Sequence, residues 1–378
     1  MLIGIEASRA NRLQKTGVEW YAYHVIQEMK RLPAAEAHSW LLYTHTPLAQ
    51  GLEKNPEHWH ERQLAWPPKY LWTQARLSFE MLRRPPEVLF VPAHVLPRFA
   101  PKRSVVTVHD VGFARFPEAY KRVQVAYHHA TTRDIVRQGA RIITVSEFCK
   151  REIIELYGAH PENILVTPLG LDHERFIPQT TERNTAVMAK HGIQNRYLLF
   201  VGRIDKKKNL KTLVKAFEQV ADQYSDLELV IAGTFSGPAG LSTTGAGELL
   251  KSIEDSPHGS RIKILGYLHE ADKPALLSGA LAYVQPSIYE GFGLPPLEAM
   301  ACGTPVLSST SGSLLEVLGE DNALFFHPED TDALRDGIEM LVERPEMREE
   351  LRAKGLAWVK RYTWTKTAEE TLKALVSW

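Results

Sequence analysis

Short apolar runs alternate with longer stretches of helical periodicity along most of the chain. That alternation predicts parallel strands covered by helices. In the first half, Leu2–Ile5, Trp40–Tyr43, Val88–Val91, Ser104–Val108 and Arg141–Val145 read as strands, with helices such as Trp20–Arg31 and Val123–Gln138 between them. Ser146 opens SEFCKREIIELYG as an N-cap, and Gly158 closes that helix. The apolar periodicity lapses from Gly170 to Gly192, which predicts a polar connector. A second series follows, with strands Tyr197–Val201, Leu227–Ala232, Ile262–Leu265, Leu281–Gln285 and Val306–Ser308 and a helix over Leu210–Tyr224. The last stretch, YTWTKTAEETLKALVSW, reads as a terminal helix. The expected architecture is α/β, with two doubly wound, Rossmann-like domains facing across a cleft. The expected bounds are a first domain over 1–175, a linker over 176–195, a second domain over 196–360, and a C-terminal helix over 361–378 that packs back on the first domain. In such sheets ligands bind beyond the carboxyl ends of the strands.

Composition narrows this picture. A chain of 378 residues that is 44% hydrophobic and 24% charged is long enough for two cores and excludes a fibrous or wholly disordered protein. Basic and acidic side chains balance at 45 each, so overall charge does not argue for nucleic acid. The halves differ, however: residues 1–195 carry 25 basic and 19 acidic side chains, or +6, and the remainder is −6. The first half therefore suits an anionic surface or acceptor. The opening MLIGIEASRANRLQKTG lacks a secretory pattern, and no run approaches the roughly 18 apolar residues of a membrane span. The two cysteines, Cys149 and Cys302, exclude a Cys-built zinc site and fit a reducing compartment, so a cytoplasmic location is expected. The segment KYLWTQARLSFEMLRR (69–84) interleaves apolar and basic residues. Two readings stay open for it: an ordinary helix packed on a sheet, or a peripheral contact with an anionic membrane at its inner face. The Gly-rich stretch 233–248 reads as a loop at the cleft rim.

The chemistry concentrates in AYVQPSIYEGFGLPPLEAMACGTPVLSST, residues 282–310. A buried strand ends near Gln285, a glycine-bearing turn follows, and a short helix starts at Pro295–Pro296 and ends before Gly303. Gly291 and Gly293 let a ligand approach the backbone, and the helix N-terminus presents N–H groups to an anion such as phosphate. Glu290 and Glu298 flank this anion site. Carboxylates placed there would repel phosphate, but they can accept hydrogen bonds from sugar hydroxyls.

Six ordered stretches carry a resemblance: the N-terminal glycine loop at Gly17, TVHD around His109, TVSEFCKREI, TPLGLD, VGRIDKKKNL, and EGFGLPPLEAMACGTPV with its Glu-x7-Glu spacing. Together they resemble the retaining glycosyltransferases of the GT-B fold in glycosyltransferase family 4. The resemblance implies that Glu290 contacts hydroxyls of the transferred sugar and that Glu298 binds the ribose. It implies that the amides of Phe292, Gly293 and Leu294 hold sugar and diphosphate, with Gly202, Arg203 and Lys208 on the diphosphate and Tyr267 at the base. Gly17 would let the diphosphate meet the first domain, and His109 would reach the sugar from the acceptor side. His109, Glu290, Arg203 and Lys208 are the expected catalytic set.

The implied co-substrate is a nucleotide diphosphate sugar, with no metal and no other cofactor. GDP-mannose is the favoured donor, by likeness to bacterial mannosyltransferases of polysaccharide biosynthesis, and UDP-glucose is the alternative. The acceptor would be a hydroxyl of a glycan or lipid-linked molecule. A GT-B nucleotide-sugar epimerase and a non-catalytic sugar-nucleotide sensor are the rival readings. A dehydrogenase is disfavoured because no G-x-G-x-x-G follows the first strand. Asp330-Thr-Asp332 reads as helix capping, Lys206 and Lys207 as surface, and His58, His60, His128 and His129 as structural.

Overall fold

The computed structural model describes residues 1–66, 71–235 and 246–377. Most of the Gly-rich stretch 233–248, and Lys69 and Tyr70 of the amphipathic stretch, lie outside the described residues. The chain forms two compact units, one of Met1–Arg115, Lys121–Gly170 and Tyr362–Trp378, the other of Phe116–Tyr120 and Leu171–Arg361.

Among the described residues the first unit holds seven strands: β1 (Leu2–Glu6), β2 (Ser39–Thr44), β3 (Trp59–Gln63), β4 (Val88–Val91), β5 (Ser104–Thr107), β6 (Arg141–Thr144) and β7 (Ile164–Val166). They pair in parallel in the order β3-β2-β1-β4-β5-β6-β7. The central strands are apolar on both faces, as helices on both sides of a parallel sheet require. Tyr21, Trp40, Tyr43 and Phe90 are its largest fully buried side chains. Trp59 anchors the polar edge strand β3 by stacking on Trp40 at 4.4 Å. Ser146 Oγ accepts from Cys149 N (3.1 Å), and Gly158 ends the helix Glu147–Tyr157 at φ 66°, as their positions in the sequence indicate. The C-terminal helix Trp364–Val376 belongs to this unit and packs on the helix Gly17–Met29. His24 lies parallel to Trp364 at 4.8 Å and stacks on Trp20 at 5.4 Å.

The second unit holds β8 (Arg196–Val201), β9 (Leu227–Ala232), β10 (Ile262–Gly266), β11 (Ala282–Gln285), β12 (Val306–Ser309) and β13 (Leu324–Phe326). Their order is β10-β9-β8-β11-β12-β13, again parallel. Phe200, Leu213, Phe217, Ile231, Val284 and Ile338 fill its core. Asp330 caps the helix Thr331–Glu343 by accepting from Ala333 N (2.9 Å), and Asp332 pairs with Arg335 (2.9 Å).

Two expectations need correction. Residues 176–195 are not a featureless linker: they contain the helix Thr181–Lys190 and belong to the second unit. Only Val187 of that helix is buried, so it carries no apolar stripe to mark it. Lys207 is not a surface residue. It is buried, and its ammonium reaches Tyr120 OH at 2.7 Å.

Candidate active site

The order of the second sheet decides where a ligand belongs. From β8 the chain proceeds to β9 and β10 on one side, then returns to β11 and continues to β12 and β13 on the other. The connections reverse direction between β8 and β11, and in open α/β sheets ligands bind beyond the carboxyl ends of the strands at such a reversal. The loop after β8 carries Gly202, Arg203 and Lys208; the loop after β11 carries Ser287 and Glu290.

These two loops meet through Glu290. Its Oε1 receives Lys208 Nζ at 2.5 Å, Gln285 Nε2 at 2.6 Å and Ser287 Oγ at 2.8 Å. None of these three bonds goes to Oε2. The orientation of the Gln285 amide is set from behind. Buried Tyr283 OH lies 2.7 Å from Gln285 Oε1, so the amide nitrogen must face Glu290. Burial raises the Tyr283 phenol well above its usual range, so it stays a neutral donor. The Glu290 main chain is fixed too, its carbonyl accepting from Ser313 N (3.1 Å) and Ser313 Oγ (3.2 Å). Gly312 makes this approach fit: at φ 65°, a Cβ there would meet Glu290 O at 2.4 Å. The result is a carboxylate locked through one oxygen, with the other able to accept from a ligand hydroxyl.

The turn after Glu290 leads into the helix Leu294–Ala301. Gly293 stands at its N-cap in the left-handed region, with φ 93° and ψ 58°. Pro295 and Pro296 follow and have no N–H, so the donors at this helix end come from Leu294 and the turn before it. That concentrates the positive end of the helix on the amides of Phe292, Gly293 and Leu294. Phe292 is buried, and Leu294 is half-buried.

Glu298 is 8% exposed and forms an ion pair with Lys273 (2.5 Å), the first residue of the helix Lys273–Gly279. Arg203 is exposed and has no ion-pair partner among the described residues. Tyr267 is 61% exposed, with His269 edge-on at 5.5 Å. The structure thus brings Lys208 onto Glu290, holds Glu298 on Lys273, and leaves Arg203 and Tyr267 open to solvent. Sequence analysis gives Gln285 only as a strand end and assigns no site role to Ser287, Gly312, Ser313 or Lys273, because these roles rest on side-chain and loop contacts that no local spacing marks.

The other two candidates belong to the first unit, whose connections reverse direction between β1 and β4. Gly17 opens the helix Gly17–Met29 behind Thr16, whose amide donates to Glu19 (3.1 Å). A Cβ on Gly17 would meet nothing within 4 Å. His109 follows β5, edge-on to Tyr21 at 4.7 Å. Its Nε2 lies 3.1 Å from Pro92 O, which can only accept, so Nε2 carries the proton and Nδ1 the lone pair. Burial lowers its pKa, keeping the ring neutral. His94 nearby has φ 36° and donates through Nε2 to Thr132 Oγ1 (2.9 Å), because that hydroxyl already gives its proton to His128 O (2.7 Å).

Comparison with known proteins agrees with this geometry. Residues 184–358 match the family model for glycosyl transferases group 1, and residues 15–175 match that for glycosyltransferase family 4. An O-antigen chain mannosyltransferase B from Escherichia coli is 31% identical over 72% of this chain and 70% of its own length. The O-antigen chain mannosyltransferase RfbU of Salmonella typhimurium is 26% identical over 75% of this chain and 72% of its own. Among solved structures, Anabaena HepE in complex with UDP and glucose superposes with a TM-score of 0.77 over all of both chains at 17% identity. Sucrose-phosphate synthase from Thermosynechococcus elongatus does so with a TM-score of 0.74 over 99% of this chain and 98% of its own at 19% identity. The two strand-order reversals, the fold and the relatives converge: the chain belongs to the group 1, family 4 glycosyltransferases and has the GT-B fold.

Proposed function

We propose that this glycosyltransferase moves a hexose, with retention of configuration, from a nucleotide diphosphate sugar to a hydroxyl of a glycan or lipid-linked acceptor. Mannose from GDP-mannose is the donor we favour, since the relatives described above are named mannosyltransferases. The observation that carries the reading is the Glu290 carboxylate, held through Oε1 by Lys208, Gln285 and Ser287 and followed by a helix N-terminus. In this reading Oε2 accepts from a sugar hydroxyl while the amides of Phe292, Gly293 and Leu294 receive the diphosphate. Glu298 accepts from the ribose hydroxyls, and Tyr267 lies against the base. Arg203, Lys208 and the helix end stabilise negative charge as the nucleotide diphosphate leaves, without a metal ion. The acceptor oxygen attacks on the face from which the diphosphate departs, and its proton passes to a departing phosphate oxygen. Neutral His109, with its Nδ1 lone pair, receives a hydroxyl on the acceptor side.

Incubation of the protein with GDP-mannose or UDP-glucose, with and without an oligosaccharide acceptor, tests this. The expected result is acceptor-dependent mannosyl transfer, an α-linked product, and a loss of about a hundredfold or more in Glu290→Ala. Sugar conversion without acceptor would favour an epimerase, and undiminished transfer by the variant would remove Glu290 from its role.

A further inference from the structure

A short segment from the first half of the chain, Phe116–Tyr120, belongs to the second unit, although β5 before it and β6 after it belong to the first. Pro117 opens a 3₁₀ turn over Pro117–Ala119, which Tyr120 N closes by donating to Pro117 O (3.1 Å). The turn leaves one ring at each end. Phe116 meets the buried Tyr289 ring at 5.6 Å, and Tyr120 meets Lys207.

Lys207 is the centre of this contact. It is 7% exposed and is the middle residue of the turn Lys206–Lys208. Its ammonium donates to Tyr120 OH at 2.7 Å and lies 5.0 Å from the centre of the Tyr120 ring and 5.7 Å from that of Tyr289. An ammonium withdrawn from water needs such partners, so its place is closely defined. The Lys207 main chain is held as well: its amide donates to Asp205 Oδ1 (3.0 Å), and its carbonyl accepts from Ile288 N (2.8 Å). On the far side of Lys208, Asn209 takes φ 51° and donates through Nδ2 to Pro328 O (2.8 Å).

Lys208 therefore stands between two fixed neighbours, and from there its Nζ reaches Glu290 Oε1. Ile288 and Tyr289, which touch Lys207, are the two residues that precede Glu290. One buried lysine and one phenol thus hold both halves of the Lys208–Glu290 pair from behind. We propose that Lys207 and Tyr120 are positioning residues for this pair, a role that rests on the reading of Lys208 and Glu290 as donor contacts. Without the Tyr120 hydroxyl the Lys207 ammonium turns toward water, the three-residue turn shifts with it, and Lys208 meets the diphosphate out of place. Since the effect passes through Lys208, it vanishes once Lys208 is removed.

Calorimetric titration of the full chain with GDP and with UDP tests this, using whichever binds the parent more tightly. Tyr120→Phe, which deletes the hydroxyl and keeps the ring, is expected to weaken binding about fivefold at the melting temperature of the parent, and Tyr120→Ala about tenfold or more. Lys208→Ala is expected to weaken binding too. Adding Tyr120→Phe to Lys208→Ala is expected to change affinity by about twofold at most, a dependence that a purely structural role for Tyr120 would not produce. Parent-like binding by both Tyr120 variants, or losses that multiply in the double variant, would overturn the proposal and leave the donor site standing. Parent-like binding by Lys208→Ala would remove the donor reading and the proposal with it.

Discussion

At the scale of single residues, the candidate site is built on compensated charge. Glu290 and Glu298 both lie where solvent is largely excluded, and each has a lysine 2.5 Å away. The pairs have different consequences. Lys208 shares Glu290 with two neutral donors, so the carboxylate keeps hydrogen bonds if the lysine is lost. Lys273 is the sole ion-pair partner of Glu298 among the described residues. Replacing Lys273 by Met strands a buried carboxylate and is expected to cost about 3 kcal/mol in urea unfolding, and a second change, Glu298→Leu, is expected to recover most of that loss. A Lys273→Met variant as stable as the parent would show that water reaches Glu298.

At the scale of elements, the site depends on loops that touch main chain to main chain. Gly312 admits the Glu290 carbonyl where any Cβ would collide, and Gly293 turns the chain into the helix Leu294–Ala301. Gly312→Ala is expected to push the Glu290 loop aside and weaken nucleotide-sugar binding by tenfold or more in calorimetry, while the circular dichroism spectrum remains that of the parent. Unchanged affinity would mean that the loop adapts.

This scale also shows what could be read in advance. The apolar central strands were legible because burial on both faces leaves a run of hydrophobic residues. The three strands that were not, β3, β7 and β13, all lie at sheet edges. Trp59 is the only buried residue in WHERQ, and the other two strands are three residues long. The Glu-x7-Glu segment of the candidate site was legible as structure, because a glycine turn followed by prolines and a helix is a local feature. The contacts that hold Glu290 were not legible. Lys208 was marked only through the resemblance, and it and Ser313 reach Glu290 because β8 and β12 flank β11 in the sheet, while Gln285 and Ser287 act from the Glu290 loop itself. Lys207 misled for a related reason: three consecutive lysines look solvated, and nothing local shows that Tyr120 covers the middle one.

At the scale of the whole molecule, the first unit is closed by the last residues of the chain. Trp364, Leu372, Ala374 and Leu375 are buried, Arg141 donates to Ala374 O (2.7 Å), and Thr367 Oγ1 donates to Pro168 O (2.8 Å). Truncation after Arg361 uncovers the helix Gly17–Met29 and removes these bonds. It is expected to lower the melting transition of the first unit by 10 °C or so in scanning calorimetry while leaving that of the second unit in place. Equal displacement of both transitions would contradict the independence of the two cores. The same closure reverses the usual order of events at the ribosome. An N-terminal domain generally completes itself while the rest of the chain is still being made. Here the segment that completes the first unit, Tyr362–Trp378, is synthesised after every residue of the second, so the earlier-made sheet must wait, with the flank of its first helix uncovered, until that segment emerges.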